Sequence, residues 1–370
     1  MMKTLKLKRI VVKVGTKVLA GKDGLDRARL KLLVAQVSAI TARGIEVALV
    51  SSGAIASGMG LLGFKKKPAD LSELQACAAV GQTHLMESYD NLFKAHDKLT
   101  AQILLTQDDL DDRSRYLNAK HTFLELLRRG VVPIVNENDT VSTDEIKFGD
   151  NDKLASLVAS LIDADLLILL SNVDGLYRSD ASSKKDEVVS VVEKITSEIE
   201  SLARKSQDEL GTGGMFSKIQ AAKVSVKSGI PCVIANGGRE NALCDVLDGK
   251  SGGTLFLPAS SKLAARDCWL CFSARPKGRI KVDAGAKAAL VERNKSLLAS
   301  GIIAVSGEFR KNDVVKILDQ AGEEFARGIS NYSFSEIEKI KGLKTPEVSK
   351  ALGYRSADEV VHKDNLAVLR

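Results

Sequence analysis

The chain has 370 residues, 44 % hydrophobic and 27 % charged, with a formal net charge of +7. That length predicts two domains, or one large domain with an appendage, and the composition excludes a disordered or fibrous chain. No run approaches the roughly 18 apolar residues of a membrane-spanning helix, and no apolar signal core follows the basic segment Met1 to Lys8, so a cytoplasmic protein without a membrane partner is expected.

Short apolar runs alternate with amphipathic helices over the first part of the chain. Ile10–Val14 reads as a buried strand. Asp26 is placed to cap a helix whose apolar positions Leu30, Leu33, Val34, Val37 and Ile40 follow helical spacing up to Gly44. Ile45–Val50 is the next strand. Ser72 and Gln75 have the spacing of a capping box that opens a long helix running towards His96. Strands follow at Ala101–Leu105, Val131–Val135, Leu166–Leu170 and Pro231–Ala235, with helices at Arg113–Arg129, Lys153–Ile162 and Met215–Ser228 between them. This alternation predicts an α/β fold: an open, mainly parallel sheet with helices on both faces, whose ligands bind at the carboxyl ends of the strands.

Beyond a boundary within Ser260–Gly278 the texture changes. Short strands at Gly278–Val282, Gly301–Ser306 and Asp313–Leu318, punctuated by Gly307, Gly322 and Gly328, predict a small β-rich, barrel-like domain. The expected organisation is a catalytic domain over 1–262, a linker over 263–277, the small domain over 278–358 and a C-terminal tail over 359–370. The five cysteines, Cys77, Cys232, Cys244, Cys268 and Cys271, are an odd number and suit a reducing compartment. Cys268 and Cys271 form a lone C-x-x-C, better read as part of a packed element than as a metal or redox pair.

The polar segments lie where the strands end. Lys13 sits inside an apolar strand just before Gly15, an arrangement suited to pointing an ammonium at an anion. Ser51-Ser52-Gly53 follows the second strand and exposes backbone donors. Asn136-Glu137-Asn138-Asp139 and Gly149-Asp150-Asn151-Asp152 bring carboxylates and amides to strand ends, where they suit an ammonium group or a metal ion. Ser171 and Asn172 follow the most apolar strand. Gly211-Thr212-Gly213-Gly214-Met215-Phe216-Ser217-Lys218 places glycines and a lysine at the opening of a helix, a ready anion site. It is neither a Walker-type P-loop nor a dinucleotide fingerprint. Two lysines beside glycine-rich turns can neutralise a transferring phosphoryl group from two sides, a reaction that needs positioning more than a covalent nucleophile.

The ordered set Val12-Lys13-Val14-Gly15-Thr16, Ser51-Ser52-Gly53-Ala54-Ile55, Asn136 to Asp139, Gly149 to Asp152 and Gly211 to Met215 resembles the amino acid kinase family over the first ~260 residues. Residues from about Gly278 to Arg355 resemble a PUA domain. The resemblance implies transfer of phosphate from ATP, with Mg2+, to the side-chain carboxylate of L-glutamate in proline synthesis. It also implies feedback inhibition by proline and a homo-oligomer, dimeric or tetrameric. By matching position it implies that Lys13 and Lys218 stabilise the transferring phosphoryl group and that Asp152 orients them with help from Asp150. It implies that Ser52, Gly53, Asp139 and Asn151 hold glutamate, Asp139 facing its ammonium group. Lys13, Gly15, Ser171, Asn172 and Thr212, Gly213, Gly214, Met215, Phe216, Ser217 and Lys218 would line the ATP site. The family often has Thr-Asp at Ser171-Asn172 and Thr at Ser217. Aspartate, N-acetylglutamate, carbamate and UMP are the alternative acceptors, and the Ser, Asn and Asp of the expected acceptor pocket suit an amino acid better than a phosphorylated one. RNA is a candidate partner of the small domain. From Gly278 to Arg370 there are 16 Lys and Arg against 13 Asp and Glu, and this balance and the lack of an aromatic cluster favour a structural or regulatory role.

Overall fold

The structure, a computed structural model, describes residues 6–21, 24–142, 150–178, 187–205, 214–250, 252–258, 265–354 and 357–369. The chain divides into two compact units, Met1–Leu263 and Ala264–Arg370.

The first unit is built on an eight-stranded sheet. Its strands are β1 (Arg9–Val14), β2 (Glu46–Ser51), β3 (Thr100–Leu105), β4 (Val132–Glu137), β5 (Leu166–Ser171), β6 (Val191–Val192), β7 (Cys232–Asn236) and β8 (Thr254–Phe256). Their order is β6-β8-β7-β5-β1-β2-β4-β3. All neighbours are parallel except β7 and β8. Parallel strands buried on both faces become continuous apolar runs. In β5 every residue from Leu166 to Ser171 is buried.

The helices that matter for the site are α1 (Arg27–Ala42), α2 (Ala54–Leu61), α3 (Leu71–Lys94), α4 (Arg113–Arg128), α5 (Asp150–Leu161) and α6 (Met215–Lys227). Asp26 caps α1 as expected, its carboxylate accepting from the backbone N–H groups of Ala28 and Arg29. In α3 the cap is Asp70 and not Ser72. The Asp70 carboxylate accepts from the N–H groups of Ser72 and Glu73, so the helix begins earlier than the Ser72–Gln75 spacing suggested.

Alternation along β1 sends its side chains to two faces. Ile10, Val12 and Val14 join a core with Leu30, Leu33, Val34 and Val37 of α1 and Leu85, Tyr89 and Phe93 of α3. The opposite face receives Lys13, and there α5 and α6 pack together. Each fully buried side chain of this size contributes about 1.5–3 kcal/mol, which outweighs holding one lysine in an apolar strand if its charge is matched.

α2 and α3 approach unusually closely. A Cβ on Gly58 would lie 1.8 Å from the Cys77 carbonyl oxygen, and one on Gly81 1.7 Å from that of Ala54. Only glycine permits such a crossing, and it holds the Ser52–Ala54 turn against α3.

The second unit has a five-stranded sheet of β9 (Gly278–Val282), β10 (Ile302–Gly307), β11 (Val314–Leu318), β12 (Glu324–Ile329) and β13 (Leu366–Val368), ordered β10-β9-β11-β12-β13. Its core includes Ile280, Val315, Ile317, Ala326 and Ile337. Two stretches differ from expectation. Within 263–277, expected as a linker, Ala265–Ser273 is helical, and Cys268, Trp269, Leu270 and Cys271 are buried. The Arg327 guanidinium anchors this helix by donating to the Cys271 carbonyl at 2.8 Å. Within 359–370, expected as a tail, Leu366–Val368 pairs with β12 because Val360, Val361, Leu366 and Ala367 are apolar enough to be buried.

Candidate active site

The site assembles at the carboxyl ends of β1, β2, β4 and β5. Lys13 pairs in register with Val50 of β2 and Leu169 of β5, so it lies deep in the sheet. Its side chain crosses to Asp152, in the first turn of α5, with Nζ 2.6 Å from Oδ1. Lys218, in the first turn of α6, approaches the other oxygen, Oδ2, at 3.2 Å. The Ser217 hydroxyl donates to the same Oδ2 at 2.7 Å. Lys13 and Lys218 are each 5 % exposed and Asp152 is fully buried.

Two ammonium groups therefore share one carboxylate inside the protein. Burial pushes the Asp152 carboxyl up, but the charges of Lys13 and Lys218 outweigh this and hold it below the ordinary range. Burial lowers Lys218, and the charge of Lys13 adds to that; the Asp152 carboxylate only partly compensates. Lys13, Lys218 and Asp152 together bring two cationic groups to one carboxylate, a combination that suits an anion.

Gly15 follows directly. Its N–H donates to the Leu170 carbonyl at 3.2 Å, and a Cβ there would lie 3.7 Å from Lys13 Nζ. Gly214 is the N-cap of the 13-residue helix α6 and makes no side-chain cap hydrogen bond. Phe216 and Met215 continue this turn. Ser171 ends β5, buried, and exposed Asn172 follows it. Thr212 and Gly213 lie outside the described residues. Asp150 heads α5, and its side chain also lies outside them.

A second cluster adjoins the first through α5. The Asn151 Nδ2 group donates to Ser52 Oγ at 2.8 Å and to Asn136 Oδ1 at 2.9 Å. Asn136 in turn donates to Gln82 Oε1 at 2.9 Å. Asn151 Oδ1 is buried and has no hydrogen-bond partner among the described residues. Gly53 follows Ser52 with φ of +115°. Asp139 sits half-buried in the turn after β4. The structure thus brings Lys13, Asp152, Ser217 and Lys218 into one cluster and Ser52 and Asn151 into the next.

Sequence reasoning quoted Asn136 without assigning it a task and missed Gln82. A signal existed for Gln82: it occupies the buried stripe of α3, between Ala78 and Leu85, where an apolar residue is the norm. A third group joins residues distant in sequence. Asp174 accepts from Arg239 at 2.6 Å and Asn236 at 3.2 Å and from the Tyr177 hydroxyl at 3.2 Å, tying the segment after β5 to the end of β7.

The family model described as the amino acid kinase family matches residues 8–236, and that of the PUA domain matches residues 278–352. The chain is 47 % identical over 363 residues to the glutamate 5-kinase of Thermoanaerobacter sp. (strain X514), covering 98 % of each. It is 48 % identical over 363 residues to that of Caldanaerobacter subterraneus subsp. tengcongensis, again covering 98 % of each. To the glutamate 5-kinase of Moorella thermoacetica it is 49 % identical over 364 residues, covering 98 % of this chain and 96 % of that one.

Proposed function

The chain belongs to the amino acid kinase family, and from that premise we propose that it transfers the γ-phosphoryl group of ATP to the side-chain carboxylate of L-glutamate, giving L-glutamyl 5-phosphate and ADP. This is the first step of proline biosynthesis. The observation that carries the reading of the site is the buried trio of Lys13, Asp152 and Lys218.

The acceptor carboxylate is ionised at neutral pH and needs no general base. One of its oxygens forms a bond to the γ-phosphorus while the bond from that phosphorus to the β–γ bridging oxygen breaks and ADP leaves. Lys13 and Lys218 approach the transferring group from a strand and from a helix and offset its charge. Asp152 stays ionised and keeps both ammonium groups aligned between turnovers. Asp150 is assigned as its helper on the family resemblance alone. Gly15, Ser171, Asn172 and residues 212–218 are assigned to the nucleotide site, where the N-terminal end of α6 suits a phosphate. Ser52, Gly53, Asp139 and Asn151 hold glutamate, and both Asp139 and the Asn151 carbonyl suit its ammonium group.

Mg2+ bound with the nucleotide would supply charge neutralisation at its phosphate oxygens. Both oxygens of Asp152 are engaged by cations, and no cluster of three or more His, Cys, Asp or Glu that could hold a metal occurs among the described residues. That donor set fits an ion carried mainly by phosphate and water.

The catalytic task is assigned to residues 1–262 and the PUA domain to 278–358. Inhibition by proline and a dimer or tetramer belong to the same reading and rest on the family resemblance. Its PUA domain makes RNA a further candidate partner. No helix among the described residues is long and apolar enough to cross a membrane. The cytoplasmic reading rests on the odd number of cysteines, which suits a reducing compartment.

ADP release with ATP, Mg2+ and one acceptor at a time tests the proposal. Turnover with L-glutamate, suppressed by proline, is expected. Turnover only with aspartate, N-acetylglutamate, carbamate or UMP would overturn the acceptor assignment and leave the two-lysine chemistry standing.

A further inference from the structure

Four amide side chains from four elements form a continuous line into the site. Gln82 Nε2 of α3 donates to Gln102 Oε1 of β3 at 3.3 Å. Gln82 Oε1 accepts from Asn136 Nδ2 of β4 at 2.9 Å. Asn136 Oδ1 accepts from Asn151 Nδ2 of α5 at 2.9 Å, and the same Nδ2 donates to Ser52 Oγ. Gln82 and Asn136 are 9 % and 4 % exposed, too buried for water to replace these bonds freely.

A carboxamide has a donor end and an acceptor end, and each link constrains the next. Because Gln82 offers its oxygen to Asn136, Asn136 must offer its own oxygen to Asn151. Asn151 then spends both N–H bonds on Asn136 and Ser52 and presents its oxygen on the other side. That oxygen is the buried acceptor without a partner among the described residues. Reversing one amide would force its neighbours to reverse, and Asn151 would then turn an N–H group, a donor, to the same place.

We infer that Gln82 is a positioning residue for the acceptor substrate: through Asn136 it fixes the Asn151 carboxamide so that its oxygen receives a hydrogen bond from the substrate ammonium group. This inference rests on the reading of Asn151 as a glutamate-binding residue. Gln82 itself touches neither the substrate nor the lysines. Its loss therefore weakens recognition of the amino acid and leaves the chemistry of the phosphoryl group intact.

Steady-state kinetics of the full chain with L-glutamate and Mg-ATP test it, alongside thermal melting. Gln82→Met removes both ends of the amide at similar length, and is expected to raise KM for L-glutamate roughly 5- to 30-fold, the effect of one misdirected buried hydrogen bond. kcat and KM for ATP should stay within about twofold, because the lysine cluster is untouched. Gln82→Glu keeps an acceptor for Asn136 and is expected to bring KM for glutamate back to within about threefold of the parent. Gln82→Asn, polar but too short to reach Asn136, replaces the Met variant if that one does not fold. An unchanged KM for glutamate in Gln82→Met, a parallel rise in KM for ATP, or a Glu variant as impaired as the Met variant would each overturn the inference. Asn151→Ala separates the two readings. If it leaves KM for glutamate unmoved, the assignment of Asn151 fails and Gln82 with it. If it raises KM while Gln82→Met does not, only the role of Gln82 is lost.

Discussion

Lys13 and Lys218, one on the second-to-last position of a central strand and the other in the first turn of a helix late in the same unit, bind opposite oxygens of a single buried carboxylate, at 2.6 and 3.2 Å. Their ammonium groups are kept close by Asp152 and would repel each other without it. An incoming phosphate chain therefore meets positive charge already assembled, and no reorganisation is needed when the phosphoryl group moves.

Lys218→Ala should lower kcat by about 10²- to 10³-fold, the usual effect of removing one charge-stabilising donor. Its effect on melting should be small. Burial and Lys13 both disfavour its charge, and Asp152 keeps Lys13 as a partner after the change. Comparing turnover with melting temperature checks this, and a matched loss of both would identify a structural lysine.

Asp152→Asn should remove activity and lower the melting temperature together, because two buried ammonium groups lose their common anion. The sign of the pH dependence follows from the carboxyl being held below its ordinary value of 3.8. Its contribution is complete above that value and is lost as pH falls through the lower, folded one. The stability gap between parent and variant, measured by denaturant unfolding, should thus be constant near neutrality and shrink only below about pH 4.

The lowered pKa of Lys218 predicts an alkaline limb in kcat/KM for ATP. Activity should fall as pH rises through a value below the ordinary 10.5, when the ammonium loses its proton. In Lys218→Arg the guanidinium does not titrate in this range, so whatever activity survives should lack that limb. A pH profile of the two enzymes decides it.

Gly81→Ala should be costly although it adds a single methyl group. The new Cβ would fall 1.7 Å from the Ala54 carbonyl oxygen, so α2 and α3 must separate. A loss of roughly 1–3 kcal/mol is expected from such overpacking. The Ser52–Ala54 turn moves with α2, so KM for glutamate should rise as well. Gly130→Ala offers a contrast at a position with open space but φ of +73°, where only backbone strain acts and KM should not change.

Much of the fold was legible from local pattern. The strand runs Ile10–Val14 and Leu166–Leu170 and the apolar stripe Leu30, Leu33, Val34, Val37 and Ile40 report the period of the backbone itself, and they became β1, β5 and α1. The lysine inside a strand and the glycine-bounded turns marked Lys13 and Lys218 for the same reason: a charge in an apolar run must be answered somewhere. Other boundaries were hidden. Asp70 displaced Ser72 as the cap of α3 because its carboxylate accepts from the N–H groups of Ser72 and Glu73, which starts the helix at Leu71 and puts Ser72 inside its first turn. Leu366–Val368 is too short to declare itself as a strand, and it formed one because β12 offered a partner edge.

The sequence by itself determined the alternation of strands and helices and the residue types available at the strand ends. Tertiary structure alone decided which of them meet. That Lys13 and Lys218 share the oxygens of Asp152, and that Gln82 reaches Asn151 through Asn136, depends on the order β5-β1-β2-β4 and on the Gly58–Gly81 crossing. Periodicity encodes which face a side chain takes. The partner it finds across that face is set by packing between elements distant in sequence, and a local pattern carries no record of it.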